Sequence, residues 1–233
     1  MSRPGDPPSR WRPPRPAWRN LLTAPARCLP EFLIIGAQKA GTTSLFAHLN
    51  DHPAVWMPPC KECHFYSGPW RPLSVYRGFF PTAGTRRRIQ RELGEPLRLG
   101  EATPYYLFHP RTPAWVARTL PDVKLIVILR DPVDRAYSHY RHCVRRGTES
   151  LSFEEALDAE AGRTAGTHER LARSPLATSD AHRHHTYVAR GHYAEQLERW
   201  FDHVDRDRVH VAIFEQFFDD PGPALARIES FLD

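Results

Sequence analysis

Three short segments of this 233-residue chain combine residue types that can do chemistry. The first is Gly36-Ala37-Gln38-Lys39-Ala40-Gly41-Thr42-Thr43-Ser44, which joins the apolar run Phe32-Leu33-Ile34-Ile35 to a segment with helical periodicity. Glycines let the backbone come close to a ligand, successive N–H groups converge, and a helix N-terminus adds partial positive charge, so this join suits a phosphate. In the nucleotide-triphosphatase loop, G-x-x-x-x-G-K-[ST], the lysine follows the second glycine. Here Thr42 occupies that place and the lysine lies inside the loop at position 39. No expected strand closes on an acidic residue that could serve Mg²⁺ beside such a lysine. The pattern therefore departs from an ATP-dependent P-loop kinase, which is the less favoured alternative.

The second segment is Leu129-Arg130-Asp131-Pro132-x-x-Arg135-x-x-Ser138-x-Tyr140. Arg130 falls at the carboxyl end of an apolar run, where open α/β sheets bind ligands. Ser138 lies two turns into the helix expected next, and a guanidinium and a hydroxyl so spaced could grip a phosphate from two sides. The third segment is Lys61-Glu62-Cys63-His64-Phe65-Tyr66. A carboxylate is suited to taking the proton of an attacking alcohol when its neighbours tune its pKa. Extended by Cys60, the same segment spells C-x-x-C-H, the haem-attachment pattern. Haem attachment needs export, and the basic N-terminus shows no apolar signal region. Zinc or a redox disulfide would also use the two sulfurs, but no second pair of ligands is evident, and no metal is expected. His182, His184 and His185 read as a solvent-facing loop, and Cys28 and Cys143 carry no readable role.

Of the 32 basic residues only three are lysines, Lys39, Lys61 and Lys124. An ammonium is a compact point charge and a guanidinium a planar fork, so a lysine kept in an arginine-rich chain marks a position worth inspecting. Two of the three fall in the segments above. The net charge of +5 suits an anionic small ligand better than a nucleic-acid coat. Hydrophobic residues at 41% and aromatics at 11% suffice for a core. No run approaches the ~18 apolar residues of a membrane span, and four cysteines are too few for a disulfide scaffold. These features lead us to expect a soluble cytoplasmic protein with no nucleic-acid partner and no stable membrane insertion. Oligomeric state is not legible.

Positioning those segments requires a particular set of elements. Residues 1–30, with eight prolines and six arginines, read as a disordered tail, and order is expected to begin at Glu31. Phe32 to Ile35 and Val123 to Leu129 read as buried parallel strands. A weaker strand is expected at Leu97 to Gly100 and a fourth strand at Val209 to Phe214. The first helix is expected from Thr42 to Asn50, with Leu45, Phe46 and Leu49 on one face, ended by His52-Pro53. Asp131 is placed to cap a helix with Pro132 at its first position. Thr112-Pro113 opens another, Ser152 and Glu155 form a capping box, and Tyr193 to Phe201 and Ala224 to Leu232 are also helical. Residues 161–186 show no period and read as an exposed loop. Strands alternating with helices give an α/β protein: a three-layer parallel sheet with a P-loop-like strand–loop–helix, in a single domain from 31 to 233.

A strand followed by G-x-x-K-x-G-T-[TS], with L-R-D-P-x-x-R-x-x-S-x-Y later, resembles the sulfotransferases that use 3′-phosphoadenosine 5′-phosphosulfate (PAPS). The resemblance runs from about Glu31 to Leu232 and is strongest at the two motifs, with looser agreement at Gly191-x-Tyr193 and Glu215 to Pro221. Lys61-Glu62-x-His64-Phe65-Tyr66 is further similar to the K-E-x-H-F-[FY] segment of the heparan sulfate glucosaminyl 3-O-sulfotransferases and their bacterial relatives. The resemblance implies that Gln38, Lys39, Ala40, Gly41, Thr42, Thr43 and Ser44 hold the 5′-phosphosulfate, and that Arg130 and Ser138 hold the 3′-phosphate. It implies Glu62 as general base, supported by His64, with Lys61 shaping the acceptor side and Lys39 neutralising the leaving group. Imidazole serves as base in other branches, so His64 stays a competing candidate. Glu101-Ala102-Thr103-Pro104-Tyr105-Tyr106 resembles an acceptor-cleft segment whose second residue is lysine. Ala102 in its place speaks against an equally anionic glycan acceptor.

The favoured reading is a PAPS-dependent sulfotransferase acting, without metal, on a hydroxyl of a carbohydrate or other small molecule. The alternative from another class is a nucleotide-binding remnant without turnover. Its support is that the family usually continues past the last helix into a basic loop over the nucleotide, so the domain is expected to be shortened at its C-terminus.

Overall fold

A computed structural model describes residues 14–233. Five strands form one parallel sheet in the order β2-β3-β1-β4-β5: β1 Phe32–Gly36, β2 Val55–Trp56, β3 Arg98–Ala102, β4 Lys124–Leu129 and β5 Val209–Ile213. β1 is central. It pairs with β3 on one side, Phe32 opposite Gly100, and with β4 on the other, Phe32 opposite Lys124. Continuous apolar runs are what a strand covered on both faces requires. Leu33, Ile34 and Ile35 of β1 and Leu125, Ile126, Val127 and Ile128 of β4 are fully buried. Helices cover both faces, giving the three-layer parallel sheet that the sequence predicts.

Local capping chemistry fixes the helices that matter to the site. The helix Thr42–Asp51 buries Thr42, Leu45 and Leu49 and ends at His52, whose backbone is extended ahead of Pro53. The helix Pro132–Arg145 starts on Asp131, whose carboxylate accepts from the N–H groups of Val133 at 2.9 Å and Asp134 at 3.0 Å. Ser152 and Glu155 close the expected capping box at the helix Phe153–Thr164.

Three expectations change. β2 was not legible, because a two-residue strand carries no period. Residues 161–186 are not a plain exposed loop: they include the helices Thr167–Arg173 and Asp180–His184. These turns bury His182 and Arg183 along with Leu171, so their inward faces are partly polar and give no apolar period. Residues 1–13 of the expected tail lie outside the described residues. Residues 14–30 carry the helix Trp18–Leu22, with Asn20 Nδ2 donating to the carbonyl of Gly78 at 2.8 Å and Arg71 donating to that of Pro14 at 3.0 Å. The described chain is thus anchored upstream of Glu31. Among the described residues no helix is long and apolar enough to cross a membrane.

Candidate active site

The loop after β1 turns into its helix at Gly41, whose φ of +81° leaves no room for a side chain: a Cβ would lie 2.6 Å from the ring of Phe218. No side chain caps this helix. The residues that open it, Gly41, Thr42 and Thr43, line a cavity together with Lys39. Lys39 is half-buried, and burial, then Arg145 and Lys61, lower its pKa.

The segment from Lys61 to Phe65 lies across the carboxyl ends of β1 and β3 because its backbone is tied there. Glu62 N donates to the carbonyl of Ala102 at 2.9 Å, His64 N to Thr103 Oγ1 at 3.3 Å and Phe65 N to Tyr106 Oη at 2.9 Å. Among the described residues three non-glycines have a left-handed backbone: Lys39 (φ 70°), Glu62 (φ 67°) and His64 (φ 49°). Such conformations cost roughly 1–3 kcal/mol each and concentrate where function demands them. All three border one continuous depression. A lobe of about 310 Å³ carries the β1 loop, and a second of about 380 Å³ carries Tyr105, Arg146, Arg183 and Arg190. Gln38, Lys61, Glu62, Pro104 and His142 line both lobes, so the Glu62 carboxylate sits at their junction.

The polar contacts there form a chain. Lys61 Nζ donates to Thr43 Oγ1 at 2.9 Å and lies 3.4 Å from Glu62 Oε1. His64 Nε2 lies 3.2 Å from Glu62 Oε2. On the other side of the ring, Arg183 Nη1 is 3.2 Å from His64 Nδ1. A guanidinium only donates, so Nδ1 is the bare nitrogen and Nε2 carries the proton it gives Glu62. Burial, with Arg183 as the leading charge against it, holds the His64 pKa down to about 4, in keeping with a neutral ring. Burial alone would raise the Glu62 carboxyl, but the hydrogen bond from His64, with charge on that ring wherever it is protonated, and the Lys61 ammonium hold it below the usual carboxylate range.

The elements bring some sequence-predicted residues together and hold others apart. Gln38, Lys39, Gly41, Thr42, Thr43, Lys61, Glu62 and His64 meet at the depression. Ala40 is fully buried behind the loop and Ser44 is exposed on the helix. Arg130 lies half-buried with Nη1 3.4 Å from the carbonyl of Lys39 and its guanidinium stacked 4.6 Å over Phe214. Ser138 is half-buried on the helix Pro132–Arg145; neither residue lines the two lobes. Arg135 of the same motif is wholly buried and donates to the carbonyl of Tyr187.

Two other expectations are corrected. Pro104 and Tyr105 line the cleft, but Glu101 and Ala102 do not. Glu101 is fully buried and accepts from Cys63 N at 3.3 Å, Tyr76 Oη at 3.1 Å and Thr103 Oγ1. Of the three histidines, His182 is 1% exposed, bonded to Tyr105 Oη at 2.7 Å, and His184 lines the second lobe. Sequence reasoning missed Arg146, Arg183 and Arg190. Arg190 is buried against Tyr105 and Phe108 and donates to Gln38 Oε1. Nothing distinguished these arginines from the other 26 in the sequence. A further cavity of about 350 Å³ lies at the amino ends of the strands, beside Glu31 and Lys124.

Comparison with known proteins gives the family. The model of the sulfotransferase domain family matches residues 29–233. The chain is 30% identical over 213 residues to human heparan sulfate glucosamine 3-O-sulfotransferase 3A1, covering 91% of this chain and 46% of that protein. It is 28% identical over 217 residues to the bifunctional heparan sulfate N-deacetylase/N-sulfotransferase of Drosophila melanogaster, covering 88% and 20%. It thus spans half or less of the length of these relatives. The crystal structure of a sulfotransferase from Alicyclobacillus acidocaldarius superposes with a TM-score of 0.64 at 34% identity, over 88% of this chain and 81% of that one.

Proposed function

Because the chain belongs to the sulfotransferase family, we propose that it transfers a sulfuryl group from PAPS to a hydroxyl of a carbohydrate or other small molecule, with Glu62 as general base. The observation that carries this reading is the meeting of Lys39, Glu62 and His64, each on a left-handed backbone, around one depression with two lobes. The uncapped helix start, Lys39 and the nearby Arg130 suit a donor with phosphate at both ends. PAPS supplies a sulfuryl group whose departure leaves a phosphate, and Lys39 is placed to neutralise that charge.

The second lobe takes the acceptor. Glu62 faces both lobes, so it accepts the hydroxyl proton on the side from which oxygen reaches sulfur, while the bond from sulfur to the leaving phosphate breaks. A carboxylate held below its usual range is a weak base. It suffices when proton transfer keeps pace with bond formation to sulfur, which makes the alcohol proton strongly acidic. His64 fixes the carboxylate by donating Nε2–H and is a positioning residue rather than the base. The guanidiniums of Arg146, Arg183 and Arg190 support an acceptor carrying a negative group.

Glu62→Gln keeps shape and hydrogen bonding but removes the proton acceptor. With PAPS and hydroxylated acceptors, scored by the mass of the sulfated product, turnover should fall roughly 10²–10⁴-fold. Binding of the desulfated product, PAP, should be nearly unchanged. PAP binding without transfer by the unaltered protein would leave a binding remnant as the answer, and turnover of ATP with Mg²⁺ would point to a kinase.

A further inference from the structure

The sulfur atoms of Cys60 and Cys63 lie 3.6 Å apart and are unbonded. They flank Lys61 and Glu62 directly. A disulfide needs about 2.05 Å, so about 1.5 Å of approach separates the pair from a covalent link. The two thiols differ in access. Cys60 is half-buried and lines both the acceptor lobe and a cavity of about 470 Å³ on its far side, whereas Cys63 is fully buried behind it. The hydrogen bond from Cys63 holds the Cys60 thiol below its usual value, and the same bond, then burial, pushes Cys63 well up. One reachable thiol backed by a buried one is the arrangement of an attacking and a resolving cysteine. Among the described residues no three His, Cys, Asp or Glu side chains converge as a metal site, so nothing beyond the two sulfurs is needed to explain the pair.

We propose that Cys60 and Cys63 form an oxidisable dithiol whose closure as a disulfide displaces Glu62 from the junction of the two lobes. The oxidant is a peroxide. The Cys60 thiolate attacks one peroxide oxygen, the O–O bond breaks, and Cys60 becomes a sulfenic acid with release of hydroxide. The Cys63 sulfur then attacks the Cys60 sulfur, expelling the sulfenic oxygen as water. Two thiols lose two electrons and two protons, and one hydrogen peroxide becomes two waters.

Closure reaches Glu62 because the segment has no slack. Glu62 and Cys63 are tied by their N–H groups to Ala102 and Glu101. Glu62 and His64 already sit on left-handed backbone. The part of the approach that rotation about the two cysteine Cα–Cβ bonds does not supply falls on the φ and ψ of Lys61 and Glu62, and on the contacts these make with Thr43 and His64. The dithiol chemistry is independent of the transferase reading. Only its consequence for turnover rests on that reading.

The test treats the purified full chain with hydrogen peroxide, blocks free thiols with iodoacetamide and analyses the peptides by mass spectrometry. The expected product is a peptide linking Cys60 to Cys63, two hydrogens lighter than the dithiol, with Cys28 and Cys143 still alkylated. Amide deuterium exchange over residues 60–66 should rise in the oxidised form and return with dithiothreitol, whether or not the chain turns over. Transfer from PAPS should fall at least tenfold on oxidation and recover on reduction, and Cys60→Ser should remove this response. Oxidation confined to Cys60, or a linked peptide with unchanged exchange over 60–66, overturns the proposal. Exchange that responds as expected in a protein with no transfer at all counts against the transferase reading and leaves the dithiol standing.

Discussion

The Arg183 guanidinium sets the tautomer of His64 by donating to Nδ1, and the remaining Nε2–H then faces Glu62. If Glu62 is the base, as proposed, removing the ring should leave it easier to protonate. In His64→Asn the Glu62 carboxyl loses its leading stabilising partner, so its pKa rises toward the ordinary carboxylate range. A base must be unprotonated to act, so the acid limb of the pH–rate profile should move to higher pH. Were His64 itself the base, the same variant would lose activity at every pH instead. Lys39 raises a different question, because its charge survives replacement by arginine but its shape does not. The residue is half-buried on left-handed backbone inside a tight loop. Lys39→Arg should therefore lose on the order of 10²-fold in turnover, the scale of a small misplacement at a reacting centre. Normal turnover by that variant would show that lysine scarcity misdirected the reading.

The segment Lys61 to Phe65 depends on β3 for its position, and the fastener is Glu101. Its carboxylate takes three donors while fully buried. Burial outweighs them and raises its pKa from 4.5 to about 7. The sign of the linkage follows. A carboxyl whose pKa is higher folded than unfolded contributes stability that is present below about 4.5 and lost as pH rises through about 7. Thermal melts of the unaltered protein should therefore show stability declining over that window relative to Glu101→Gln, which does not titrate. Parallel melting curves for the two proteins would contradict the assignment. The strand–loop–helix after β1 is a contrasting case, since its geometry comes from its own residues. Gly41 supplies the turn and Leu45 and Leu49 supply the buried face.

Taken together, the sheet order puts the ends of β1, β3 and β4 side by side, so the β1 loop, the segment after Ala102 and Arg130 share one edge. Arg130 bonds the loop at Lys39 and leads into the helix that carries Ser138. If these two residues read a 3′-phosphate, calorimetry should give micromolar-range binding of PAP and at least tenfold weaker binding of ATP. Equal affinities would remove that role from the pair. Several features of this arrangement are fixed by the sequence itself. The β1 and β4 apolar runs, the turn at Gly41, the Asp131 cap and the residue types of Lys61 to Tyr66 each occupy one short stretch of chain and so leave a local pattern, although β3 positions that last segment. Tertiary structure alone decided the second lobe, the proposed acceptor side. Arg183 meets His64 across 119 residues, and Arg190 meets Gln38 across 152. Those arginines are buried by rings and carbonyls from distant elements rather than by an apolar face of their own, so their stretch shows no period. Glu101 belongs with them, because only the packing of Tyr76 and Cys63 around it turns an expected cleft residue into a buried fastener.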